Sequence, residues 1–310
     1  MVVRSFFYSL PLIFMPSSLD CTLCLMRQSL EAARFASPDA ELHETVVKRV
    51  MELVMERGFQ VPPPLIGQEI HRMIRELTNN PDPYAQVKRE FNDLMLSRME
   101  ALRNRIHASS HPFETAVRIV IAGNTIDCAL RASIRPEMVD EAVEAALCEP
   151  INGNLAELEE VVRRSENIIY LIDNCGEIVC DRLLIELLMP KKITAVVRGT
   201  PVINDATLED AKYVGLTDVV PVISNGNDGL GTILEQCSEE FMEHFRAADL
   251  VISKGLGNFE TLICYGSEVI TQTIAFLFKA KCAFIAGFSG TQLGDAVVRI
   301  QKKGEKLFSP

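Results

Sequence analysis

Residues 168–184 read IIYLIDNCGEIVCDRLL. Ile168 to Ile172 form an unbroken apolar run, the pattern of a strand buried on both faces. Asp173 and Asn174 follow at once, then Gly176 and a new helical pattern. A strand that ends in two adjacent oxygen-bearing side chains delivers both to one rim of a sheet. In open α/β sheets, ligands bind at that rim, outside the carboxyl ends of the strands.

Downstream, strand patterns recur at Ile193–Val197, Val219–Ile223, Leu250–Ile252 and Ala283–Ala286, with helical patterns between them. This alternation predicts a mainly parallel sheet with crossover helices. Upstream, residues 19–147 read as helical throughout. Ser18 or Asp20 caps the first helix, Gly58 stops the second, the prolines at 62–64 open the third, and Pro81 and Pro83 break it. The chain divides accordingly into a helical domain at 16–150 and an α/β domain at 151–310. Residues 1–15 carry FFYSLPLIF behind a single Arg4. That run imitates a signal h-region, yet it is too short to span a membrane and no A-x-A site follows it. It is read as a tail or a mis-called start, with Met15 the natural first residue.

With 310 residues, 48% of them hydrophobic, the chain can bury a sizeable core. A net charge of −11 argues against nucleic acid as partner, because phosphate backbones need a basic face. The 9 cysteines follow no secreted framework, so a reducing cytoplasm is the expected setting, without a membrane partner. Composition leaves the oligomeric state open, a homo-oligomer included.

Each strand delivers a polar cluster to the same rim. The first gives Asp173 and Asn174, the second leads to Asn204 and Asp205, the third gives Ser224, Asn225 and Asn227, and the fourth gives Ser253, Lys254, Gly255 and Asn258. Carboxylate and amide oxygens are hard ligands that suit Mg²⁺ or Mn²⁺ better than zinc. Asp173, Asn174 and Asp205 therefore form a candidate site for one divalent ion, with Co²⁺ and Ni²⁺ further along the affinity series. Lys254 in its glycine-rich turn suits phosphate as a point charge. Taken singly, each motif is more often a turn or a helix cap. Their convergence points to metal-assisted phosphoryl transfer, with a metal-activated water as the expected nucleophile.

At these residues the sequence resembles the damage-control metallophosphatases, a family first catalogued as domain of unknown function eighty-nine, and in particular their CxxC-bearing microbial subfamily. The motifs that carry the resemblance are DCTLC at 20–24, DPYAQVKREFN at 82–92, AGNTIDCA at 122–129, LIDNCGEI at 171–178, VVRGTPVINDAT at 196–207 and ADLVISKGLGNFET at 248–261. AKC at 280–282 and GD at 294–295 complete the order. The resemblance implies a Rossmann-like α/β sheet with flanking helices against an all-helical N-terminal region. It also implies hydrolysis of small phosphorylated metabolites, such as damaged or side-product sugar phosphates. It assigns the metal to Asp173, Asn174 and Asp205, the phosphate contact to Lys254, and the GNxxD motif to Asn124 and Asp127. Asn124, Asp127, Lys254 and Asn258 are the expected substrate contacts. Ala283 stands where the family usually has proline after AKC.

Two other classes of protein fit parts of this pattern. A group transferase such as a carboxyl methyltransferase would use the same rim for a nucleotide-type cofactor, but no G-x-G-x-x-G follows the first strand. A non-catalytic metal or redox module would rest on Cys21 and Cys24, at a helix start that lowers thiol pKa. A zinc site there would need distant partners such as Cys282 or His107.

Overall fold

In the computed structural model, residues 17–126 and 136–305 are described. The expected strand forms as β2 (Asn167–Leu171). Successive side chains of a strand point to opposite faces. Ile168, Tyr170 and Ile172 enter one hydrophobic layer, while Ile169 and Leu171 enter the other. The first layer is closed by α4 (Ala85–Ala108), α5 (Pro112–Ile126), α6 (Pro136–Cys148), α7 (Leu155–Arg164), α8 (Glu177–Leu188) and α9 (Leu208–Tyr213). The second is closed by α10 (Glu239–Ala247), α11 (Gly255–Leu262) and α12 (Ala283–Ser289).

The other strands are β1 (Ile151–Gly153), β3 (Lys192–Val197), β4 (Val222–Ser224), β5 (Leu250–Lys254), β6 (Thr273–Lys279) and β7 (Ala296–Gln301). The 7-stranded sheet has the order β1-β7-β6-β5-β2-β3-β4. Strands β2 to β6 are mutually parallel, and β7 pairs antiparallel to β6. From β2 the chain builds outward through β3 and β4, then returns to β2's other edge for β5 and β6. The order therefore reverses between β2 and β5. In a doubly wound sheet the crevice at that reversal is where ligands bind.

Before the sheet, α1 (Leu19–Ala36), α2 (Ala40–Arg57) and α3 (Pro63–Thr78) share a smaller core that includes Leu25, Ala32, Val46, Val50, Ile66, Ile70 and Ile74. Asp39 caps α2, Gly58 ends it with a positive φ of 62°, and Pro63 sits at the start of α3. No helix of the described residues is long and apolar enough to cross a membrane.

Two strand assignments need correction. Ala283–Ala286 is the start of α12, capped by the Cys282 thiol, which accepts from the Ile285 amide, and ended by Gly290 in the left-handed region. The strand of that part of the sheet is TIAFLFK at 273–279. Val219–Ile223 is shifted as well: a 3₁₀ turn occupies Leu216–Asp218, and the strand begins only at Val222. The reading of residues 1–15 and the assignment of Asp127 lie outside the described residues.

Candidate active site

Two loops meet at the crevice. The turn after β2 carries Asp173 and Asn174, and the β3–α9 loop carries Asp205. Their backbones are stitched together, since the Ala206 amide donates to the Asp173 carbonyl at 2.9 Å and the Cys175 amide to the Asn204 carbonyl at 2.8 Å. Asn174 and Asp205 consequently face each other as an isolated bridge. Ile203, two residues before Asp205, has a φ of 44°. A β-branched residue in the left-handed region is strained, by about 1–3 kcal/mol. Packing of Ile203 against the α1–α3 core holds it there.

The third wall is the β5–α11 junction. Gly255 has a φ of +76°, and a Cβ placed there would lie 1.8 Å from Asp173 Oδ2. Only glycine lets this backbone approach the carboxylate. Gly255→Ala is expected to cost about 1–2 kcal/mol from the dihedral alone and to displace Asp173, so that activity falls with Tm. Steady-state assays and thermal unfolding of the variant check both effects.

The side chains converge within this frame. Asp173 Oδ2 accepts from Asn124 Nδ2 at 3.0 Å and from Asn174 Nδ2 at 2.7 Å. The same two amides reach Glu177 Oε2 at 2.9 and 3.2 Å. Arg198 Nε donates to Asp205 Oδ2 at 2.5 Å, and its Nη2 lies 3.7 Å from Asp173 Oδ1. That Nη2 is buried without a hydrogen-bond partner, as is Asn124 Oδ1. Burial, followed by the Asp205 and Glu177 carboxylates beside it, holds the Asp173 carboxyl well above its usual range.

These observations fit a divalent cation. The donor set is hard oxygen, and crowding of carboxylates raises Asp173 in a way that a cation would relieve. Among the described residues no three His, Cys, Asp or Glu side chains gather as a metal site. The proposed third donor is an amide, Asn174.

Not every expected contact is open. Lys254 was expected to meet phosphate as a free point charge. It is instead fully buried, with Nζ 2.5 Å from Glu177 Oε1, 2.9 Å from Asp181 Oδ1 and 3.4 Å from the Val120 carbonyl. Asn258 was expected to contact substrate, yet its amide is spent within the protein. Its Nδ2 donates to the Lys254 carbonyl at 2.8 Å, and its Oδ1 accepts from Arg198 Nη1 at 3.0 Å and Thr232 Oγ1 at 2.8 Å. Asn258 thus orients Arg198. Asn124 does reach Asp173. Of the third-strand residues, Asn225 and Asn227 satisfy loop amides at Gly199 and Gly229. Cys175 is buried, and burial together with Asp210 pushes its thiol up, which disfavours the thiolate. Neither Cys21 nor Cys24 is in a disulfide.

Asp181 and Tyr170 escaped the sequence reading. Tyr170 OH donates to Asp181 Oδ1 at 2.7 Å, and burial lifts the Asp181 carboxyl to about 6 even though Lys254 opposes the shift. A signal was present: Glu177 and Asp181 stand four apart, on one face of a helix whose other charged residues are Arg182 and Glu186.

Comparison with known proteins gives a consistent result. The family profile described as the damage-control phosphatase ARMT1-like domain matches residues 17–297. A Methanocaldococcus jannaschii protein described as uncharacterized is 35% identical over 287 residues, covering 90% of this chain and 93% of its own length. A damage-control phosphatase of Archaeoglobus fulgidus is 30% identical over 287 residues, covering 90% and 97%. One from Pyrococcus horikoshii is 34% identical over 272 residues, covering 86% and 92%. The crystal structure of a DUF89 family protein from Pyrococcus horikoshii superposes with a TM-score of 0.83 at 31% identity, covering 94% of this chain and all of that one.

Proposed function

Because this chain belongs to the damage-control phosphatase ARMT1-like family, we propose that it is a metal-dependent phosphatase acting on small phosphorylated metabolites, sugar phosphates or related damaged metabolites among them. The observation that carries the metal-dependent reading is the meeting of Asp173, Asn174 and Asp205 at the strand-order reversal, beside the buried Arg198 Nη2, which lies 3.7 Å from Asp173 Oδ1 and makes no hydrogen bond.

Asp173, Asn174 and Asp205 would hold one divalent ion, Mg²⁺, Mn²⁺, Co²⁺ or Ni²⁺. Bound there, the ion supplies Lewis-acid polarisation of the phosphoryl group and lowers the pKa of a water. Arg198 Nη2 is the donor left for a phosphoryl oxygen, and Asn258 and Asp205 fix its plane. Lys254 Nζ pairs with Glu177 and Asp181, and so holds Glu177 against the Asn124 and Asn174 amides that orient Asp173. Asn124 bridges Asp173 to Glu177 and so sets the orientation of the metal carboxylate. A charge-stabilising array fixed in advance is what phosphoryl transfer requires of a protein.

A nucleotide-type cofactor fits less well. In doubly wound sheets its pyrophosphate rests on the helix that follows the first strand. Here the buried Glu177 carboxylate occupies the first turn of α8, and like charge would repel that anion. None of the eight described cysteines is in a disulfide, in keeping with the cytoplasm as the proposed setting.

The test is phosphate release from a panel of sugar and nucleotide phosphates with Mg²⁺, Mn²⁺, Co²⁺ or Ni²⁺. Hydrolysis is expected with metal, with Co²⁺ or Ni²⁺ activating more strongly because affinity rises along that series, and it should stop after EDTA treatment. The ion should also raise Tm, since a ligand at a hundred times its Kd stabilises by about 2.7 kcal/mol. Metal-free protein that hydrolyses at full rate would refute the reading.

A further inference from the structure

The motif DPYAQVKREFN has no part in the site as described so far, although Lys88 and Asn92 within it are both buried. They stand one turn apart on α4, and Asn92 meets the β2–α8 turn while both meet Asp210 of α9. Asn92 Oδ1 accepts from the Gly176 amide at 2.7 Å, in the turn that carries Asp173 and Asn174. Asn92 Nδ2 donates to Asp210 Oδ1 at 3.4 Å. Lys88 Nζ lies 3.0 Å from Asp210 Oδ2 and 3.0 Å from Asp82 Oδ2. Asp210 in turn accepts from the amide and hydroxyl of Thr207 at 2.9 and 2.7 Å, two residues after Asp205. A single helix face is therefore bonded to both metal-bearing loops, directly to one and through Asp210 to the other. Contact is close, because a Cβ at Gly176 would lie 3.2 Å from Phe91 Cβ and 3.4 Å from Met95 Cγ.

We propose that Asn92, supported by Lys88, is a positioning residue that sets the spacing of the Asp173–Asn174 and Asp205 loops and thereby governs metal affinity, touching neither metal nor substrate. This rests on the assignment of Asp173, Asn174 and Asp205 as the metal site. Groups that orient ligands in this way matter: their loss commonly weakens metal affinity roughly 10–100-fold. Without Asn92 the buried Gly176 amide loses its acceptor, and the turn is free to shift.

The experiment is calorimetric titration of Mn²⁺ into the metal-free full chain. Asn92→Ala is expected to weaken Mn²⁺ binding roughly 10–100-fold while kcat at saturating Mn²⁺ stays near wild type. Leu102→Ala removes a core side chain elsewhere on α4. It is expected to lower Tm and leave Mn²⁺ affinity unchanged. Where Asn92→Ala is not recovered folded, Asn92→Ser carries the same expectation. Wild-type affinity in Asn92→Ala or Asn92→Ser overturns the proposal, as does an equal loss in Leu102→Ala. Wild-type protein that binds no Mn²⁺ refutes the metal-site assignment itself, and the proposal with it.

Discussion

Asp173→Ala and Asp205→Ala are each expected to abolish phosphatase activity while the protein stays folded. Removing a hard ligand takes away transition-state charge stabilisation worth several kcal/mol, or roughly three orders of magnitude in rate. The stability expectation has the opposite sign for Asp173. Its folded-state pKa is raised by burial and by the Asp205 and Glu177 carboxylates. Ionised Asp173 is therefore a cost to the metal-free fold above its unfolded pKa, and that cost is relieved as pH falls or as a cation binds. In metal-free protein near neutral pH, the Tm of Asp173→Ala should equal or exceed that of wild type, and added Mn²⁺ should no longer raise it. Kinetics paired with thermal unfolding check both halves. Wild-type turnover in either folded variant would remove that residue from the site.

Lys254→Met is expected to damage stability as well as activity. The sequence suggested only a lost phosphate contact. The structure adds that Nζ neutralises Glu177 and Asp181 with all three side chains fully buried. Removing one partner of a buried pair leaves uncompensated charge, at a cost of about 3–5 kcal/mol. That is a large part of a typical folding free energy of about 5–15 kcal/mol, and it should lower Tm by roughly 10 °C. Adding Asp181→Asn removes one of the two stranded charges and should return part of the loss, a coupling that a double-mutant cycle measures. Activity should fall as well, because Glu177, left without its ammonium, also accepts from the Asn124 and Asn174 amides that orient Asp173. A Tm unchanged by Lys254→Met would contradict the buried pairing.

What was legible in the chain, and what was not, follows from the range of the interactions involved. Ile168–Ile172 could be read because a continuous apolar run followed by Asp-Asn-Cys-Gly has one sensible local solution. The ends of α2 and α3 were legible for the same reason, since Gly58 and Pro63 act through their own dihedrals. The runs TIAFLFK and AFIAGFS are both short and apolar, so hydrophobicity alone cannot separate strand from helix. The Cys282 cap and the left-handed Gly290 decide for helix in the second, and neither is a strong sequence signal. Asp173, Asn174 and Asp205 could be placed on one rim from topology. The partners of Lys254 could not, because they are supplied by α8, the helix after β2, whose face toward β5 is fixed only by packing. Asn258 shows the same limit: its position at the rim was evident, but not the use of its amide to hold Arg198.

The central claim is that one divalent ion sits between the Asp173–Asn174 turn and the Asp205 loop. Anomalous diffraction at the manganese edge, from crystals of the full chain soaked in MnCl₂, tests it directly. The account predicts one dominant peak within coordination distance of the Asp173, Asn174 and Asp205 side-chain oxygens. A dominant peak elsewhere, at Cys21 and Cys24 for example, with none at the β2–β3 rim, would contradict it.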